Sequence, residues 1–306
     1  MAYPETARMY PGSFEYFVPS SLEEALGVLS SSGEEAKLLA GGQSLLPLMK
    51  LRLARPRRLI DIGRLGGLAY VQENDTDLRI GALTSHQSVL DSSLIQQKFP
   101  LIADAVSALG DSQVRNWGTI GGALAEADPA GDWGPVALAL KARIRCVSPR
   151  GERIFDADTF FLDAYTTQLD HDEIIRDVMI PNPAPDQAGT YVKLERRAGD
   201  FAVVSVGVQL AMDGGKVCRE ANIALGAAGL TPVLARDAAT FLVGKEIRED
   251  TVREAADKVA AAADPLEDIR GSREYKRAAL KSIFKQAVAI AYRRARGETI
   301  QVGHGS

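Results

Sequence analysis

The chain has 306 residues, 46% of them hydrophobic and 25% charged, with a formal net charge of −4. That is the composition of an ordinary soluble globular protein with room for one large domain or two, and its charge balance gives no sign of binding nucleic acid or an anionic membrane. No run reaches the roughly 18 apolar residues of a membrane span, and the opening MAYPETARMYPGSFEYFVP has neither a signal-peptide core nor a twin arginine. The expected home is the cytoplasm, with any attachment to the inner face of a membrane made through a partner.

Taken in order, Ser21 and Glu24 read as a capping box, and Leu22, Ala25, Leu26 and Leu29 repeat at helical spacing. AKLLA is a short strand that runs into Gly41-Gly42. A helix follows, with Ser44 as its expected N-cap and Pro47 in its first turn. RRLIDI is the next strand. Leu78 and Ile80 mark another strand, and Thr84 with Gln87 make a second possible capping box. FPLIADAVSALG reads as a helix opened by Pro100. The stretch from Asp111 to Leu140 carries Gly121-Gly122 and is otherwise loop-like. ARIRCVS and ERIFDA flank Pro149-Arg150-Gly151 as a hairpin, and EIIRDVMIP is one more strand.

The three prolines of PNPAPDQAG make the best boundary in the chain. Beyond it TYVKLER, FAVVSVGVQLAM and KVCREANIALGAA read as strands, with Asp213-Gly214-Gly215 as a hairpin turn. The rest is helical: PVLARDAATFLVG, EDTVREAADKVAAAA and SREYKRAALKSIFKQAVAIAYRRAR. The last helix is too rich in Lys and Arg to span a membrane and suits packing on the sheet or on a partner.

Cys146 and Cys218 lie far apart, which excludes a disulfide framework or an iron–sulfur or zinc cluster within this chain. Both are expected to be small buried hydrophobes. His86, His171 and His304 form no close ligand pair, so no metal site is expected, and His86 is expected on a helix surface. Arg52, Arg55, Arg57 and Arg58 read first as a solvated face and second as a docking surface for an acidic partner.

The two glycine pairs lie some 80 residues apart. Glycine lets main-chain N–H groups approach an anion closely. Neither pair is a Walker loop or a G-x-G-x-x-G fingerprint. On spacing alone, tight turns are the commoner reading, and two nests facing one diphosphate are the alternative.

LLAGGQSLLPLMKLRLARPRRLIDI and VRNWGTIGGALAEADPAGDWGPVALAL resemble the two FAD-binding motifs of the flavoprotein medium subunits of molybdenum hydroxylases, the group of aerobic carbon monoxide dehydrogenase and xanthine dehydrogenase. YVKLERRAGDFAVVSVGV matches a third marker of that family, and the resemblance covers nearly the whole chain. It implies an α+β fold: a vanillyl-alcohol-oxidase, PCMH-type FAD-binding domain over 1–181 (subdomains 1–62 and 63–181), then a C-terminal α+β domain over 182–306 with a small antiparallel sheet and helices.

The resemblance further implies FAD in this chain. Leu38, Leu39, Ala40, Gly41, Gly42, Gln43, Ser44 and Leu45 would surround its diphosphate, and Thr119, Ile120, Gly121, Gly122 and Ala123 would form a second cradle. Leu109, Gly110 and Gln113 precede that cradle. Asp132, Ile175 and Lys193 match cofactor-contacting positions, and Tyr191 would lie beside the isoalloxazine ring. Many relatives have His where this chain has Gln43, which cannot titrate near neutral pH. Glu126 and Trp133 sit where relatives vary.

By the same resemblance a large partner holds the molybdenum cofactor and a small one carries two [2Fe–2S] clusters, in a dimer of heterotrimers. Electrons would leave this chain to a quinone, NAD or oxygen. No acid–base catalyst is required of it. The opening segment leans toward the carbon monoxide branch; a purine, an N-heteroaromatic and an aldehyde stay open as substrates of the large partner. The rival readings are a self-sufficient flavoenzyme of the same fold and a non-catalytic assembly subunit.

Overall fold

A computed structural model describes residues 10–302; His304 and the first nine residues of the opening segment lie outside them. The N-terminal layer holds β1 (Glu15–Phe17), α1 (Leu22–Ser32), β2 (Ala36–Leu39), α2 (Leu45–Lys50) and β3 (Arg58–Asp61). Its strands pair in parallel in the order β1-β3-β2. Ala25 and Leu29 of α1 pack with Ala36 and Ile60 in one apolar cluster, as their helical spacing requires. The capping box is half formed. Ser21 Oγ accepts from Glu24 N at 3.1 Å, but the Glu24 carboxylate turns to the main chain and hydroxyl of Ser20. Ser44 does not cap α2 through its side chain, because its own backbone is already helical (φ −102°, ψ −51°).

The central layer is a five-stranded antiparallel sheet, β4-β5-β10-β6-β7, built from β4 (Val71–Glu73), β5 (Asp77–Gly81), β6 (Arg143–Ser148), β7 (Gly151–Asp156) and β10 (Ile174–Pro181). Between β5 and β6 come α3 (His86–Leu90), α4 (Ser93–Lys98), α5 (Pro100–Ser107), α6 (Ser112–Trp117), α7 (Ile120–Glu126) and α8 (Trp133–Ala139). A short α9 (Ala157–Phe160) and the pair β8 (Phe161–Asp163) and β9 (Thr166–Thr167) close the layer. The segment expected to be loop-like is therefore three helices. Asp111 and Thr119 cap α6 and α7 through their side chains. Gly121 sits inside α7 because a Cβ there would stand 2.6 Å from that of Ala82; packing against β5 outweighs glycine's poor helix propensity. Likewise Ser85, not Thr84, caps α3, and the Thr84 hydroxyl bonds the main chain of Tyr70.

The C-terminal layer is the antiparallel sheet β11 (Gln187–Leu194), β12 (Val204–Met212), β13 (Cys218–Gly226) and β14 (Val233–Leu234), in that order. Val233 and Leu234 pair with Leu225 and Ala224, so the helix expected from Pro232 begins only at α10 (Arg236–Leu242). α11 (Glu249–Ala262) and α12 (Arg273–Ala295) follow, and α12 lies across β11 and β12 and against α11. Its apolar face, Leu280, Phe284, Ala287, Val288 and Ala291, joins Val206, Val208 and Leu210 in a common core. Tyr191 and Ala224 belong instead to the core of the central layer, so the two sheets share buried surface.

Among the described residues no helix is long and apolar enough to cross a membrane, and no group of three or more His, Cys, Asp or Glu is placed to hold a metal ion. Cys146 and Cys218 are both buried and unbridged. In the basic cluster Arg57 pairs with Glu35 and Arg58 with Glu15, whereas among the described residues Arg52 and Arg55 donate only to main-chain oxygens.

Candidate functional site

A cleft of about 240 Å³ opens where the three layers meet. One lip is the turn after β2. Gly42 has φ +73°, a conformation that favours glycine, and Gly41, Gln43 and Ser44 line the cleft beside it. Gly41 is glycine for a different reason. A Cβ there would stand 1.9 Å from Trp117 O and 2.9 Å from Gly118 Cα. Its close approach is to the main chain between α6 and α7, so the two glycine segments touch. The N–H groups of Gly42, Gln43, Ser44 and Leu45 have no acceptor among the described residues. Gln43 is exposed, and its amide reaches only Gly41 O at 3.5 Å.

The facing wall is the start of α7. Thr119, Gly122 and Ala123 line the cleft, but the first amides of this helix are already bonded. Ile120 N donates to Thr84 O at 3.2 Å, Gly121 N to Ala82 O at 2.9 Å and Gly122 N to Thr119 Oγ1 at 3.1 Å. The second glycine pair thus gives the cleft a smooth, Cβ-poor surface and not a second nest of free donors.

At the inner end, β11 brings Lys193 to the cleft, its side chain 2% exposed. Its Nζ donates to Ala108 O at 3.0 Å and to Asp132 Oδ2 at 3.3 Å, and lies 3.4 Å from Glu195 Oε2. Tyr191, expected beside a flavin ring, is fully buried behind this wall and donates to Asp132 Oδ1 at 2.7 Å. It reaches the cleft only through that carboxylate. Burial pushes the Asp132 carboxyl up, against the opposing pull of Lys193 and Tyr191. Toward the other end, burial and the neighbouring Asp128 raise the carboxyl of Glu126. Glu126 and Asp128 offer acceptors there for hydroxyl or ring N–H donors.

Of the other expected residues, Leu109 and Gly110 also line the cleft. Leu38, Leu39, Ala40, Leu45, Gln113, Ile120 and Gly121 stand behind or beside its walls, and Ile175 is buried in β10 opposite Cys146. His86, expected on a helix surface, is 4% exposed and lines the cleft. Its main-chain N–H donates to Gly118 O, and its Nδ1 accepts from Trp133 Nε1 at 3.1 Å. Burial lowers its pKa to about 4, with Arg115 adding to the effect, so the ring is neutral at physiological pH. Gly199, Asp200 and Phe201 complete the rim from the loop before β12. Gly199 has φ +81°, and a Cβ on it would meet Gly110 at 3.0 Å, which seats this loop against the wall in a way no sequence pattern announced.

The arrangement suits an elongated ligand with an anionic middle held by unbonded main-chain donors, with one buried ammonium group at the inner end of the cleft. Lys193 is the one Lys or Arg lining the cleft among the described residues, and it is committed to Asp132.

Comparison with known proteins gives the same answer. Residues 12–183 match the family model for the FAD binding domain in molybdopterin dehydrogenase, and residues 189–291 match the CO dehydrogenase flavoprotein C-terminal domain. The chain is 38% identical to the carbon monoxide dehydrogenase medium chain of Hydrogenophaga pseudoflava, over 94% of this chain and 99% of that one. A solved carbon monoxide dehydrogenase structure from the same organism superposes with a TM-score of 0.91, covering 93% of this chain and 99% of that one. The glyceraldehyde dehydrogenase medium chain of Sulfolobus acidocaldarius is 37% identical over 91% of this chain and 98% of its own length. Quinoline 2-oxidoreductase from Pseudomonas putida 86 superposes with a TM-score of 0.88 at 33% identity, covering 94% and 99% of the two chains. A cleft fit for a diphosphate and similarity along almost the whole length converge on one conclusion: the chain belongs to the family of FAD-binding medium subunits of the molybdenum-containing dehydrogenases.

Proposed function

We propose that this chain carries FAD between a small [2Fe–2S] subunit and an external acceptor, within a complex whose large subunit holds the molybdenum cofactor. The observation that carries the reading is the turn at 42–45, with its left-handed glycine and its unbonded N–H groups on the lip of the cleft. Those groups would hold the diphosphate. Thr119, Gly122 and Ala123 would let it lie close to α7, and Lys193 with Asp132 would border the flavin end. When bound, FAD supplies the redox chemistry; this chain orients it and excludes water from one side. The division at residues 181 and 182 separates the part that makes the cleft walls from the part that contributes β11 and the 199–201 rim.

For the large partner's substrate we put carbon monoxide first, on the similarity to the Hydrogenophaga medium chain. An aldehyde is second, because the Sulfolobus relative is almost equally similar. The complex is read as a dimer of heterotrimers in the cytoplasm that delivers electrons to a quinone, NAD or oxygen.

The test is purification through a tag on this chain. Equimolar FAD, co-purifying iron and molybdenum, and dye reduction with carbon monoxide in preference to glyceraldehyde are expected. A colourless chain that takes up no FAD would sink the flavoprotein reading. Oxidation of a small substrate by this chain alone would sink the subunit reading.

A further inference from the structure

His86 opens α3, directly after the capping Ser85. Every polar group on it except one is already engaged. Its main-chain N–H is bonded to Gly118 O at 3.0 Å, and the bridge between Ser85 and Thr119 holds the backbone on either side. Its Nδ1 accepts the indole N–H of the buried Trp133 at 3.1 Å. An Nδ1 that accepts places the single proton of a neutral imidazole on Nε2. That Nε2–H has no partner among the described residues, although the residue is 4% exposed and lines the cleft.

Its position is set by contacts on both sides. A Cβ on Gly118 would stand 2.8 Å from His86 Nε2, and a Cβ on Gly41 would stand 2.9 Å from Gly118 Cα. Gly118 and Gly41 are therefore the two residues that separate the imidazole from the turn whose N–H groups are unbonded. Three separate contacts hold this donor in place on the cleft wall. Its proton has the chemistry to bond an acceptor that enters the cleft beside the turn.

We infer that His86 Nε2–H donates a hydrogen bond to an oxygen of the ligand's diphosphate, as a fixed neutral donor beside the 42–45 turn. The inference rests on the FAD reading above. Its ligand class is a diphosphate ester, and the flavin ring is not part of the contact. Trp133 is the positioning residue: it selects the tautomer and fixes the ring plane without touching the ligand.

Two substitutions separate a donor from a structural prop. In His86→Asn the side-chain oxygen can replace Nδ1 as acceptor for Trp133, but no donor remains where Nε2 stood. In His86→Gln the amide N–H reaches toward the Nε2 position. FAD and ADP are titrated into the full-length apo-chain by calorimetry, with riboflavin as the ligand that lacks a diphosphate. Circular dichroism checks that each variant is folded. Asparagine is expected to weaken FAD and ADP alike by roughly tenfold or more, the loss of a hydrogen bond to a charged acceptor, and to leave riboflavin unchanged. Glutamine is expected to recover most of that loss. In the wild type, the 15N resonance of Nε2 should move on adding ADP while the Nδ1 resonance stays acceptor-like.

Wild-type affinity for FAD and ADP in the asparagine variant overturns the inference and leaves the flavoprotein reading intact. So does equal weakening in both variants, which marks a packing role. A loss confined to riboflavin and FAD, with ADP unchanged, overturns it by moving the contact to the flavin. A wild-type chain that binds none of the three overturns both readings.

Discussion

His86 is neutral because burial disfavours its charged form, and that makes it a measurable acid sensor of the fold. Its folded-state pKa of about 4 lies below its ordinary value near 6.5. Between those values the unfolded chain binds the proton and the native chain does not, so stability rises with pH across the window and is lost as pH falls from 6.5 to 4. At 1.36 kcal/mol per pH unit of displacement, the loss is about 3 kcal/mol. Denaturant unfolding at a series of pH values should show this limb, and His86→Asn should flatten it; an unchanged slope in that variant would assign the acid sensitivity to other groups. Burial of His86 was invisible in the sequence because α3 has five residues, too few to show a period. The burial of Tyr191 was hidden for a related reason. A strand that alternates between two faces does not reveal which face meets a second sheet, and Tyr191 faces the central core.

At the scale of elements, the two glycines of the first turn have separable roles. Gly41 permits contact between main chains, and Gly42 permits a left-handed turn. Gly41→Ala should lower thermal stability, because a methyl group 1.9 Å from Trp117 O forces the seam open and backbone cannot swing aside as a side chain can. Gly42→Val should leave the chain folded, since its Cβ meets only flexible side chains, Leu46 at 2.8 Å and Leu39 at 3.2 Å, at a conformational cost of about 1–2 kcal/mol. FAD content should collapse in that variant. Melting temperature and bound flavin, measured on both, check the division; full flavin content in Gly42→Val removes the turn from the site. Regular elements such as α1, α5, β10 and α12 were legible from apolar spacing alone. The helices α6 to α8 were not, because glycine and proline punctuate them. Their stability comes from caps at Asp111 and Thr119 and from packing against Ala82 and Pro232, which are tertiary facts.

Over the whole molecule, one side chain links segments 190 residues apart in sequence. Arg294, near the end of α12, pairs with Asp104 of α5 and donates to Gly189 O at 2.9 Å and to Ile300 O. Both charged partners are largely buried, and Thr190 Oγ1 also donates to Asp104 Oδ2. Removing the cation from such a pair costs about 3–5 kcal/mol. Arg294→Met should therefore lower the unfolding free energy by about that amount, and Arg294→Lys should recover little of it, because an ammonium cannot fork to several oxygens. Denaturant titration of both variants checks this; a shift below 1 kcal/mol would make the link ornamental. No local pattern announces such a pair, since its partners are 190 residues apart.

The seam between Gly41 and Trp117–Gly118 has a kinetic consequence. Two walls already in van der Waals contact at their base have no hinge there, so the cleft has a preset width before anything enters it. Loading then resembles threading into a slot and not the closing of a jaw. Little ordering entropy remains to be lost on binding. Escape, by contrast, requires either sliding out along the slot or breaking main-chain packing that folding has fixed. A cofactor held this way would leave slowly even when its individual contacts are weak, and the exposed indole of Trp117, 67% accessible, stands at the end of α6 beside the seam that keeps the slot rigid.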